Sequence, residues 1–178
     1  MSRSLKACLN GPRDPSEHPA LPVTPGAIAA EAAAAVAAGA DALHIHAKDS
    51  SGRDTLEAGT VAAALEAVRA AVPGVAVGLT TGAWAAPGPG ERIALVRAWT
   101  VLPDFASVNW HEPGSADLAE ALLSRTHTRK MLVNPGKHAL RTLLTCGYTH
   151  SRARSAGHPC EHPPELSDLA RRVLGAEA

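Results

Sequence analysis

Over its first two thirds the chain alternates short apolar runs with longer alanine-rich or amphipathic segments, and proline or glycine marks most of the boundaries. Residues 5–10 form the first strand candidate. A Pro-rich loop follows, and Thr24-Pro25 has the form of an N-cap with proline at the first helical position. The helix predicted over 25–38 is closed by Gly39, and a strand over 41–46 begins at once. After a loop at 49–55, a second helix is expected over about 56–72, stopped by Pro73-Gly74. Residues 75–81 are a nearly continuous apolar run, as in a strand buried on both faces. A Gly/Pro loop at 82–90 precedes a third helix at 91–101. Residues 105–109 make a fourth strand and 115–123 a fourth helix.

That rhythm is four βα units, and it implies a parallel α/β sheet with right-handed crossovers. The polar residues that could carry chemistry fall just after strands: Asn10, His44 and His46, Thr80 and Thr81, and 109–112. In barrels and doubly wound sheets this is the rim where ligands bind. The rhythm breaks at about residue 125. Beyond it lie five of the nine histidines (His127, His138, His150, His158, His162), together with Cys146 and Cys160. Only a weak strand at 130–133 is expected there, with helical potential at 139–144 and 167–174. Residues 145–165 show no hydrophobic period, which is unusual inside a compact domain. The chain therefore divides into 1–124 and an atypical tail, 125–178.

Composition narrows the function classes. The length, 178 residues, suits one domain, whereas a complete (β/α)₈ barrel takes about 250. Seventeen basic and seventeen acidic residues cancel, so charge gives no reason to expect nucleic acid or an anionic membrane as partner. Five aromatics make no stacking platform for single strands. Three cysteines form neither a disulfide framework nor a CxxC pair. Residues 1–24 lack the apolar stretch of a signal peptide, and the alanine-rich run at 27–40 is too short to span a bilayer. A cytoplasmic location is the expectation.

The sharpest chemical signal is His44-Ile45-His46. Residues i and i+2 of a strand share a face, so both imidazoles would project together, a common way to offer two nitrogens to zinc. Histidines that face solvent or are satisfied in the core fit the same spacing. In the tail, Cys146, His150, His158, Cys160 and His162 match no zinc-module spacing.

Several stretches carry a family resemblance. They are 7–11 (ACLNG), 17–25 (EHPALPVTP), 38–46 (AGADALHIH), 80–84 (TTGAW) and 104–114 (DFASVNWHEPG). In this order and spacing they resemble the β-keto acid cleavage enzymes, the family that includes 3-keto-5-aminohexanoate cleavage enzyme. The resemblance implies a TIM barrel, here a partial one, in a homo-oligomer that carries a divalent metal, normally zinc. It also implies condensation of a small-molecule β-keto acid with acetyl-CoA, then cleavage to acetoacetate and a new acyl-CoA. His44 and His46 take the first two metal positions, and the family's third ligand is a Glu near the end of a late strand. Thr80 is expected to reach the substrate carboxylate, and Asn10 and Asn109 to contact substrate from neighbouring strand ends. Lys48 stands where members usually have Arg, and Asp49 is expected to pair with it or to support a metal ligand. His111 and Glu112 suit either a site wall or a turn.

The third ligand and the family's assisting arginine and aspartate have no counterpart in the tail, where residues 132–135 offer Asn134 instead of a carboxylate. Catalytic residues are therefore unassigned. The tail has the look of a frame slip or truncation, and the chain alone is expected to be nearly inactive. The competing readings are a catalytically dead remnant acting as an interaction protein, and another metal-dependent barrel aldolase.

Overall fold

A computed structural model describes residues 5–125, together with the strands at 131–134 and 144–145. Within these bounds the chain runs β1 (Lys6–Cys8), α1 (Pro25–Ala37), β2 (Ala42–Ile45), α2 (Ala58–Ala71), β3 (Ala76–Leu79), a 3₁₀ turn (Ala83–Ala85), α3 (Pro89–Arg97), β4 (Phe105–Asn109), α4 (Ser115–Arg125), β5 (Met131–Asn134) and β6 (Leu144–Thr145). The strands form one sheet in sequential order, β1-β2-β3-β4-β5-β6. The first five are parallel, and β6 runs antiparallel to β5.

The expected local signals operate where they were placed. Thr24 Oγ1 accepts the Ala27 N–H at 3.1 Å, and Gly39 takes a left-handed φ of 101° just past α1. The third helix starts earlier than its hydrophobic pattern suggests because Pro89 occupies its first turn, and it ends at Arg97. Two residues on, Trp99 is fully buried and donates its indole N–H to the Leu56 carbonyl at 2.9 Å.

Alternation along the strands separates two faces. Leu43, Ile45, Val77, Leu79, Ala106 and Val108 are buried in one apolar cluster with Ile28, Ala32, Val61, Leu65, Val68 and Leu118 of the helices. The alternate positions include His44, Gly78 and Phe105, which lie side by side across β2, β3 and β4. Gly78 is required here: a Cβ on it would meet the Phe105 ring at 2.0 Å. With that space open, Phe105 crosses β3 and stacks against His44, ring centroids 6.4 Å apart.

In the tail, the expected weak strand is present as β5, and one expectation needs correction. The weak strand pairs with β4 along four residues, Asn109 opposite Asn134, so the parallel order continues into a fifth strand. Leu144, expected at the end of a helix, lies in β6. The expectations for 139–143, 146–165 and 167–174 fall outside the described residues. No helix among the described residues is long and apolar enough to cross a membrane.

Candidate metal and substrate site

His44 lies in β2 and His46 immediately follows it, at the C-terminal end of the strand. Both are buried, at 8% and 5% exposure. Their rings stand edge to face with centroids 5.4 Å apart, so the two imidazoles share one side of the sheet.

Asn10 fixes the strand end that presents them. The parallel ladder reaches Leu9, whose N–H donates to the His44 carbonyl at 3.1 Å. Beyond it the Asn10 side chain continues the pairing. Its Oδ1 accepts the His46 N–H at 2.9 Å, and its Nδ2 donates to the His46 carbonyl at 2.9 Å and the Pro22 carbonyl at 3.1 Å. Both amide hydrogens of Asn10 are thus given to the chain, and the side chain positions the strand end.

Asp54 was not singled out from the sequence, yet it is the hub of the site. Its Oδ2 lies 2.7 Å from His46 Nδ1 and accepts the Trp84 indole N–H at 2.7 Å. Its Oδ1 pairs with Lys48 Nζ at 2.6 Å. The remaining Lys48 hydrogens go to the carbonyls of Gly11 (2.9 Å) and Arg13 (2.8 Å), so this fully buried ammonium is satisfied. Asp49, expected in that role, instead builds the turn. Its Oδ1 accepts from the backbone of Ser51 and Arg53, while Gly52 takes a φ of 82°. That turn folds the chain back so that Lys48 and Asp54 meet in an antiparallel bridge.

Trp84 sits on the 3₁₀ turn with its ring nearly parallel to His46, 14° apart at 6.3 Å. Thr80 continues the β2–β3 ladder, its N–H donating to the Ile45 carbonyl at 3.2 Å. Its Oγ1 accepts the Gly82 N–H at 3.4 Å, which leaves the hydroxyl hydrogen available to an anion. Asn109 donates to Glu112 Oε1 at 2.7 Å. Glu112 Oε2 accepts from the buried Arg92 guanidinium and from the Ala83 N–H. Glu112 therefore ties α3 and the 3₁₀ turn to the end of β4 and does not join the histidines. Among the described residues no three His, Cys, Asp or Glu side chains converge as a metal cage.

The donor set suits a divalent ion. His44 Nδ1 is buried without a hydrogen-bond partner, an orphan that needs an explanation. With His46 Nδ1 held by Asp54, its Nε2 remains to bind, the usual carboxylate–histidine–metal arrangement. Burial, then the neighbouring His46 and Lys6, lower the His44 pKa to about 3 and keep the ring neutral, the state a metal ligand requires. Burial pushes Asp54 up, but hydrogen bonds from His46, Lys48 and Trp84 outweigh it and hold the carboxyl below its ordinary value.

A depressed histidine pKa has a sign in stability. Below about 6.5 the unfolded chain takes up a proton that folded His44 refuses until about pH 3, so folding weakens as pH falls across that window. Between pH 7 and pH 5 His44 is expected to contribute a loss of about 2 kcal/mol. Urea unfolding at the two pH values should show it, and the difference should shrink in His44→Gln.

Comparison with known proteins gives the family. A model of the β-keto acid cleavage enzyme family matches residues 4–153. The chain belongs to this family. The match runs past residue 124, where the sequence resemblance stops, and takes in β5 and β6. Among solved structures, ObcA in its apo form is 22% identical with a TM-score of 0.50, covering 65% of this chain and 30% of that one. The binary complex of ObcA with oxaloacetate is 23% identical with a TM-score of 0.51, covering 65% and 31%. The chain thus shares part of the ObcA fold, consistent with a partial TIM barrel, and spans under a third of that protein's length.

Proposed function

We propose that this β-keto acid cleavage family chain carries the metal- and carboxylate-binding pole of its site, with His44 and His46 as metal ligands. The observation that carries this reading is the pair itself: two buried neighbouring rings, one with an unpartnered nitrogen and one oriented by a carboxylate. A bound zinc or similar ion would act as a Lewis acid on the ketone of a β-keto acid. Thr80 donates its hydroxyl to the substrate carboxylate. Asn10 locks the strand end, Asp54 holds the His46 ring, and Asn109 with Glu112 steadies the neighbouring loop. Acetyl-CoA is the co-substrate in this proposal, with acetoacetate and an acyl-CoA as products. Support comes from the family match and from the oxaloacetate seen bound to ObcA, itself a β-keto acid.

The test has two arms. Zinc-loaded chain should bind oxaloacetate or acetoacetate in calorimetry, and metal-free chain should not. With acetyl-CoA and a panel of β-keto acids, acetoacetate formation is expected below about one turnover per second, under ordinary enzyme values, because the described residues assemble no further group to move protons. Equal binding with and without metal would remove the metal-pole reading.

A further inference from the structure

Trp84 is a large hydrophobic side chain left exposed, at 52%, in a place where everything around it is fixed. One face of its indole lies over His46, and its N–H is committed to Asp54 at 2.7 Å. The benzo edge rests on Gly82, where a Cβ would come within 2.3 Å of the ring carbons. The turn beneath it is anchored by Glu112, which accepts the Ala83 N–H at 2.9 Å. A flat apolar surface is thereby held beside the two metal-ligand histidines.

Among the described residues, two buried cations lie at this end of the sheet, Lys48 and Arg92. Lys48 donates to Asp54, Gly11 and Arg13, and Arg92 donates to Glu112 and to the Pro113 carbonyl. Lys48 thus has no hydrogen left for a ligand carboxylate, and the Arg92 side chain, whose Nε is unpartnered, is 1% exposed. An anionic substituent brought against the indole would lose water without gaining a partner from the ring, whereas an apolar or aromatic one would gain contact.

We propose that Trp84 is a specificity-determining residue, the wall that receives the group beyond the ketone of the β-keto acid. It selects substrates in which that group is uncharged, and preferably apolar or flat, over dicarboxylic ones. The inference rests on the metal-pole reading above, and it separates this site's choice of ligand from the oxaloacetate bound by ObcA.

The test uses Co²⁺ as a spectroscopic stand-in for zinc. Co²⁺ is titrated into the full chain, followed by 3-oxo-3-phenylpropanoate, acetoacetate or oxaloacetate, and each dissociation constant is read from the visible cobalt bands. The phenyl acid is expected to bind about tenfold more tightly than oxaloacetate, the scale of one aromatic contact. Trp84→Phe, which keeps a ring but loses the bond to Asp54, should preserve the ranking. Trp84→Ala should bring the two acids within about threefold of each other. Gly82→Ala, which leaves the tryptophan in the chain but displaces its ring, should do the same and serves as the second probe. A chain that binds Co²⁺ yet ranks the acids equally, or a Trp84→Ala variant that keeps the preference, overturns this proposal alone. A chain that gives no cobalt signal overturns the metal pole and this inference with it.

Discussion

Asp54→Ala is expected to cost about 3–5 kcal/mol of folding stability, the range for breaking a buried ion pair from one side. The substitution leaves the Lys48 ammonium, 1% exposed, with two carbonyls and no countercharge. It also releases the His46 ring and the Trp84 indole together. Removing both charges should be far milder. The double variant Asp54→Ala/Lys48→Met is expected to recover much of the loss, because the cost lies in the stranded charge more than in the pair. Urea unfolding of the two single variants and the double closes the cycle. If Asp54→Ala unfolds within about 1 kcal/mol of the parent, the buried hub is not supporting the loop. The low carboxyl pKa adds a pH signature: Asp54's contribution is present above the ordinary carboxylate pKa and fades as pH falls through its depressed folded value.

The parallel sheet and the histidine pair were legible in the sequence because each is written in a short-range signal. Period-two burial put Leu43 and Ile45 on opposite sides from His44 and His46, and Thr24-Pro25 and Gly39 punctuated α1 as caps do. Asp54 was not legible for a physical reason. Its role depends on a tight turn, 49–53, that reverses the chain and brings a residue eight positions on against His46. Asp49 sits closer in sequence, but its carboxylate is drawn into that same turn. The link from Arg92 through Glu112 to the turn under Trp84 was hidden in the same way, since it joins α3, β4 and the 3₁₀ turn across twenty or more positions. Nothing local marks Arg92 as the buried one, since α3 also carries Glu91 and Arg97. The fifth parallel strand was weak in sequence because β5 is short and flanked by residues without hydrophobic period, and its pairing with β4 supplies what local pattern does not.

Zinc is expected to bind this chain weakly by itself and more tightly with substrate present. Stable catalytic sites normally use three protein ligands, and among the described residues two imidazoles converge without a third His, Cys, Asp or Glu. Purified protein should therefore retain substoichiometric zinc after dialysis, and His44→Ala should abolish what remains. Asp54→Asn, which keeps the side-chain shape but weakens the grip on His46 Nδ1, should lower affinity by about 10–100-fold, as loss of a ligand's supporting partner does. A β-keto acid brings a carboxylate and a ketone oxygen that can both reach an ion held by the two rings. Because coupling between two ligands is reciprocal, oxaloacetate should tighten zinc by the same factor that zinc tightens oxaloacetate, on the order of 5–150-fold. Paired calorimetric titrations in the two orders measure both factors. Unequal factors would point to a second binding mode. Full zinc occupancy that survives dialysis without substrate would mean that the protein itself provides a third ligand, and the two-histidine pole would then have to be redrawn.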